Sequence, residues 1–153
     1  MPHPAIIPAP VSLEAPDDRE PFVLRPGARI VADGDGAREV AEVLAELLRP
    51  ATGTAPAIAD DGDARDGDVV LAIDGQGDPE SYRLDVDSGG IRLSSPGAAG
   101  LFFGVQTLRQ LLPVGLEASA GPLAVTAPAV RIADAPRFAY RGVMLDVARR
   151  FFP

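Results

Sequence analysis

Chemistry in this chain has few places to sit. Arg141 and Asp146 lie in Tyr140-Arg141-Gly142-Val143-Met144-Leu145-Asp146-Val147, an apolar run of strand character followed by the basic and aromatic turn Ala148-Arg149-Arg150-Phe151-Phe152-Pro153. A charged pair inside a core-type strand is costly unless it is paired or put to use. Strict alternation sends positions five apart to opposite faces, whereas a bulge near Gly142 brings both to one face. Two readings stay open for the pair, a functional set or a structural arginine–carboxylate tie at a domain junction; in this chain alone Arg141 is expected to be solvated or paired with a local carboxylate such as Asp146. The segment reads as the first strand of something larger, which makes the chain a leading domain plus the opening step of a second one.

Other constellations carry less. Asp33-Gly34-Asp35-Gly36 and Asp60-Asp61-Gly62-Asp63 are acidic, but neither supplies the alternating ligands, central glycine and closing glutamate of a calcium loop. They read as solvated loops. Gly100-Leu101-Phe102-Phe103-Gly104 matches no phosphate-loop spacing, and its glycines fall inside a predicted helix, which points to packing. Gln106, Thr107, Arg109 and Gln110 form a polar set on that helix, expected to be a surface face rather than a docking site for a second domain. His3 is the sole histidine and cysteine is absent, which removes Ser-His triads, thiolate chemistry, disulfides and His-based zinc sites. No metal and no cofactor are expected.

Composition narrows the partners. A net charge of −8 argues against a nucleic-acid surface and against docking on anionic lipid. No run approaches transmembrane length. The start, Met1-Pro2-His3-Pro4-Ala5-Ile6-Ile7, lacks a basic region and a long apolar region, so the chain carries no export signal, and a cytoplasmic or a secreted parent both fit. With 46% hydrophobic residues in 153, one ordinary domain with a real core is expected. Aromatics are 5% and Trp is absent, so Ala, Val and Leu must fill that core through close packing.

The elements that must position these residues follow from periodicity. Residues 1–20 should be extended. Phe22-Val23-Leu24 and Arg29-Ile30-Val31 suit two strands split by a turn at Arg25-Pro26-Gly27. Asp35 is placed to cap a helix from about Gly36 to Leu48, with a stripe of Val40, Val43, Leu44, Leu47 and Leu48, ended by Arg49-Pro50. Ala57-Ile58-Ala59 is a short strand, and Val69 to Ile73 a central one. Tyr82, Leu84 and Val86 alternate with charged residues, Ser88-Gly89-Gly90 turns, and Ile91 and Leu93 alternate again, which predicts an antiparallel hairpin with one buried face. A second helix spans Gly97 to Leu112, with Leu101, Val105, Leu108 and Leu112 as its stripe. Gly100 and Gly104 each cost about 1 kcal/mol of helix propensity against Ala, so their face must approach another backbone closely, as helix-on-sheet packing requires. Leu123-Ala124-Val125 and Val130-Arg131-Ile132 complete the strands, and Asp134-Ala135-Pro136 breaks the last. The expected fold class is α+β: a mainly antiparallel sheet with two helices on one face.

Residues 136–153 resemble the opening of the catalytic barrel in family 20 glycoside hydrolases, the β-N-acetylhexosaminidases. Gly100-Leu101-Phe102-Phe103-Gly104-Val105-Gln106-Thr107-Leu108-Arg109-Gln110-Leu111-Leu112 is similar to the second helix of that family's N-terminal domain, and Ile7-Pro8-Ala9-Pro10 and the Tyr82–Leu93 hairpin are similar too. The resemblance implies a non-catalytic α+β domain over 1–135, with 136–153 beginning a truncated (β/α)₈ barrel. It implies that Arg141, in the Arg-Gly pair of the first barrel strand, binds hydroxyls of the terminal sugar, with Asp146 as a supporting polar residue of the barrel interior and no catalytic role. The implied reaction removes terminal N-acetylglucosamine or N-acetylgalactosamine from glycans or chitooligosaccharides with retention. The substrate's acetamido oxygen is the nucleophile, and an adjacent Asp-Glu pair supplies orientation and the general acid. No Asp-Glu dipeptide occurs here, so the chain alone is expected to be inactive. A stand-alone structural domain and a carbohydrate-binding module are the competing expectations; the second wants exposed aromatic platforms, and this chain has two Tyr and no Trp.

Overall fold

A computed structural model describes residues 4–60, 64–116 and 123–146. Nine strands and two helices are found among them, in the order β1 Ser12–Glu14, β2 Phe22–Val23, β3 Ile30–Asp33, α1 Ala37–Thr52, β4 Ile58–Asp60, β5 Val69–Ile73, β6 Tyr82–Asp87, β7 Gly90–Ser95, α2 Ala98–Leu111, β8 Thr126–Ala127 and β9 Val130–Asp134. Seven strands make the main sheet in the order β1-β9-β6-β7-β5-β3-β4, and β2 pairs with β8 in a small second sheet.

The α+β class stands, but the sheet is mixed rather than mainly antiparallel. The pairs β1–β9, β9–β6 and β6–β7 are antiparallel. The pairs β7–β5, β5–β3 and β3–β4 are parallel. The parallel half has a physical cause in the sequence. A parallel neighbour needs a crossover of a dozen residues or more, and α1, with 16 residues, lies between β3 and β4. The unbroken apolar run Val69–Ile73, wedged between β7 and β3, is the signature of such an interior strand.

The hairpin forms as the alternation predicts, with Leu84 opposite Leu93 and Val86 opposite Ile91. Both helices cover the apolar face and touch each other, and Leu44, Leu48, Leu71, Leu84, Leu93, Leu101, Val105 and Leu108 fuse into one core. The opposite face of the hairpin presents Arg83, Asp85, Asp87 and Arg92 to solvent.

Four local expectations shift. Asp35 does not cap α1: Gly36 does, at φ 84°, with no side-chain cap. Arg49-Pro50 does not end α1, which runs on to Thr52. A proline in the last turn forfeits little, because the Gly53 N–H closes on the Arg49 carbonyl at 2.9 Å and the Thr52 hydroxyl on that of Leu48 at 2.9 Å. Ala51, buried, supplies the packing that holds this turn. Val43 leaves the stripe and is exposed. The Phe22 and Ile30 runs do form the two strands expected of them, one in each sheet. The strand expected at Leu123-Ala124-Val125 forms instead at Thr126–Ala127, opposite β2.

Candidate functional site

Where Arg141 sits is decided by β9. That strand runs antiparallel to β6 and ends with Asp134 opposite Tyr82. The chain therefore leaves the sheet beside the residues that lead into β6. There an Asx turn is set by Asp78, whose carboxylate accepts the Glu80 N–H at 2.9 Å and whose carbonyl accepts the Ser81 hydroxyl at 2.7 Å. The turn aims Glu80 at the emerging segment. Arg141 donates to Glu80 Oε1 at 2.5 Å and to the Phe138 carbonyl at 2.6 Å. Its guanidinium lies 6.0 Å from the centre of the Phe103 ring on α2, at the outer limit of a cation–π contact.

α2 reaches this corner because its glycines let it. The Gly100 N–H bonds the Pro79 carbonyl at 3.0 Å. A side chain at Gly100 would collide with the Ser81 carbonyl and the Ser95 hydroxyl, and one at Gly104 with the Leu93 side chain. The close approach inferred from the Gly100/Gly104 spacing is thus helix on sheet. Phe103 lies between the two glycines in sequence, and meets Phe102 edge-on at 6.3 Å.

Of the two expectations for Arg141, solvated or paired with a carboxylate such as Asp146, the structure shows a carboxylate pair, but with Glu80 from another part of the chain. Asp146 is exposed at the end of its segment. No strand forms over 141–146, so neither alternation nor a bulge at Gly142 governs these side chains, and Val147–Pro153 lie outside the described residues. Glu80 is what sequence reasoning missed. Its only local signal was the Asp78-Pro79 turn before the hairpin, and nothing in spacing links positions 61 apart.

The segment that carries Arg141 is apolar and open. Phe138, Tyr140 and Leu145 are well exposed, Met144 is 94% exposed and Val143 98%. The polar set on α2 divides into separate tasks. Thr107 is buried, its hydroxyl 2.6 Å from that of Tyr82, which also donates to Asp134 at 3.4 Å. Burial pushes the Tyr82 phenol up to about 12, with Thr107 opposing and Asp134 adding to the rise. Gln110 clamps the leading segment, accepting from the Ile7 N–H at 2.9 Å and donating to the Ile7 carbonyl at 3.1 Å. Among the described residues no three acidic, histidine or cysteine side chains gather as metal ligands, and no helix is long and apolar enough to cross a membrane.

A half-parallel, half-antiparallel sheet carries two glycine-fitted helices on one face and is followed by an arginine-bearing apolar segment, and this fold recurs in solved glycoside hydrolases. The profile of glycosyl hydrolase family 20, domain 2, matches residues 3–135, and the chain belongs to that family. A β-N-acetylhexosaminidase of Cellulomonas fimi is 37% identical over 163 aligned residues, covering 99% of this chain and 30% of the relative. Among solved structures, the family 20 β-N-acetylhexosaminidase of Streptomyces coelicolor A3(2) superposes with a TM-score of 0.87 at 41% identity, over 99% of this chain and 30% of its own. A mutant β-hexosaminidase of Streptomyces plicatus, solved in complex with its product GlcNAc, gives 0.88 at 39% identity, over 99% and 30%. The chain thus spans under a third of the length of the relatives it matches.

Proposed function

We propose that this chain is the leading portion of a β-N-acetylhexosaminidase, in which 1–135 form a non-catalytic domain and 136–153 begin the catalytic (β/α)₈ barrel. The observation that carries the reading is the segment after β9. It shows Phe138, Tyr140, Val143, Met144 and Leu145 to solvent beside a positioned Arg141, and an apolar surface of that kind fits a region that packs against further protein. Phe102, on α2, is exposed as well.

In the parent, the substrate is a terminal N-acetylglucosamine or N-acetylgalactosamine, hydrolysed with help from its own acetamido group. Arg141 serves as a sugar-hydroxyl donor: a guanidinium offers five N–H groups in a fixed fork, which suits vicinal hydroxyls. Its exchange of Glu80 for sugar needs only a turn of an exposed side chain. Asp146 supports the barrel interior. The Asp-Glu pair that this chemistry uses is not in these residues, so the chain by itself lacks a proton donor.

The test uses the parent enzyme and a chromogenic N-acetylglucosaminide. Arg141→Ala is expected to lower kcat/KM by about 100-fold, the loss of one or two charge-assisted hydrogen bonds to the reacting sugar. Arg141→Lys should restore part of it. The 153-residue chain alone should show neither turnover nor saturable binding of N-acetylglucosamine. A parent indifferent to Arg141→Ala would refute the sugar-binding role and leave the tie to Glu80 as its whole purpose.

A further inference from the structure

We propose that Arg141 and Glu80 form a clasp that fixes the direction in which the chain leaves the leading domain. The inference rests on the geometry after β9 and not on the hydrolase reading, and its test involves no turnover.

The receiving side of the clasp is rigid. The turn over 78–81 is wedged against the start of α2. The Gly100 N–H bonds the Pro79 carbonyl at 3.0 Å. A side chain at Gly97 would strike Pro79, and one at Gly100 the Ser81 carbonyl. The Asp78 carboxylate accepts the Glu80 N–H at 2.9 Å. Glu80 thus projects from backbone that is pinned on both sides. The exit point is equally fixed. Asp134 lies opposite Tyr82, and its carboxylate accepts the Tyr82 hydroxyl at 3.4 Å and the Val11 N–H at 3.1 Å.

The departing segment lacks such support. No strand forms over 136–146, and Phe138, Tyr140, Val143 and Met144 are exposed. Arg141 ties the segment back in two ways. One guanidinium nitrogen, Nη1, donates to the Phe138 carbonyl at 2.6 Å and closes 138–141 on itself. The other, Nη2, donates to Glu80 Oε1 at 2.5 Å and pins that turn to the domain. A planar fork makes both bonds at once, which a lysine ammonium on its single stem does less well. The Phe103 ring, 6.0 Å from the guanidinium, bounds it on the α2 side.

An exposed ion pair is worth little when it must order two free side chains. Here the sheet register has already brought the two ends together. Tyr82 faces Asp134, so the loop still to be closed runs only from Asp134 to Arg141, and closing a short loop costs little entropy. The clasp therefore orders the chain through Arg141 and releases it from Gly142 onward. Whatever follows takes its direction from α2 and the Glu80 turn rather than from a free linker.

The experiment is ¹⁵N relaxation and limited trypsin digestion of the 153-residue chain. Backbone order parameters should stay at about 0.85 through Arg141 and fall below about 0.6 from Val143. Glu80→Gln, neutral and of the same shape, should move that fall back to Phe138. It should also speed cleavage after Arg141 about fivefold, because trypsin must take the same guanidinium. The urea midpoint should not move, since the part Glu80 plays in its own turn is its N–H. Arg141→Lys should give an intermediate loss of order. The proposal is overturned if order already ends at residue 136 in the parent chain, or if Glu80→Gln leaves order and cleavage unchanged. A lowered urea midpoint in Glu80→Gln would also overturn it, making Glu80 part of the fold and not of a clasp, as would a lysine that serves as well as arginine.

Discussion

Asp68 is the only charged side chain buried among the described residues, at 4% exposure, and its surroundings explain how it stays ionised. Burial pushes its carboxyl up. The Arg29 guanidinium at 2.8 Å and the N–H groups of Arg65 and Arg29, each at 3.0 Å, outweigh that and hold it below the ordinary 3.8. Asp68→Ala strands three donors at the mouth of β5 and should cost about 2–4 kcal/mol, read as a lower urea midpoint. The sign of the pH effect follows from a depressed carboxyl. The stabilisation is fully present above the unfolded-state value, and is lost as pH falls below 3.8 toward the folded-state value. Asp68→Asn should therefore flatten the acid limb of the stability profile below pH 3.8 and lower the plateau above it. Tyr82 offers a second test. With its phenol at about 12, ionisation should appear in an ultraviolet titration only near that pH, and Tyr82→Phe should cost about 1 kcal/mol by orphaning the Thr107 hydroxyl. The Arg65 N–H lies three residues from Asp68 and is local, but the Arg29–Asp68 and Tyr82–Thr107 bonds join segments that no spacing rule connects, so they have no signal in the sequence.

At the scale of elements, the two glycines of α2 make separable predictions. A methyl at Gly100 meets a backbone carbonyl, which cannot turn aside, whereas one at Gly104 meets the movable end of Leu93. Gly100→Ala should thus destabilise more than Gly104→Ala, despite the same gain in helix propensity of about 1 kcal/mol, and Gly104→Leu should cost about 1–3 kcal/mol by overpacking. Thermal unfolding of the three variants orders them. The helices and the hairpin could be read from sequence because their signals are local: the stripe of Leu101, Val105, Leu108 and Leu112, and the alternation from Tyr82 to Leu93. The parallel pairing of β3, β4 and β5 could not. Short apolar runs announce that they are strands but not which neighbour they choose, and the one strong pairing signal in the sequence, the hairpin, is antiparallel. The end of α1 was misjudged for a different reason. Pro50 carries a general penalty, but burial of Ala51 and the closing bonds from Thr52 and Gly53 act only in the folded context.

On the whole-molecule scale, every strand among the described residues lies at or before Asp134. A chain ending at residue 135 should keep the cooperative unfolding of the longer one, with a midpoint little changed, and should self-associate less, since Phe138, Tyr140, Val143, Met144 and Leu145 leave with the removed segment. Denaturation and sedimentation of the two lengths check both halves. Of the candidate site, Arg141 stands out in the sequence through its motif, while its hold on Glu80 has no local signal. That contact exists because β9 happens to finish beside the turn that opens β6.

The pairing of the first strand with the last has a mechanical meaning. β1 and β9 run antiparallel with Ser12 opposite Ala133, so the incoming and outgoing chain share one end of the ladder, where Asp134 also accepts the Val11 N–H at 3.1 Å. Tension applied through the two ends would load those hydrogen bonds one after another, like a zipper, rather than all at once in shear. The segment ahead of β1 is held separately, by buried Ile6 and by the Gln110 clamp on Ile7, so a pull through both ends should first be resisted at α2 and only then unzip β1 from β9, a latch followed by a soft joint.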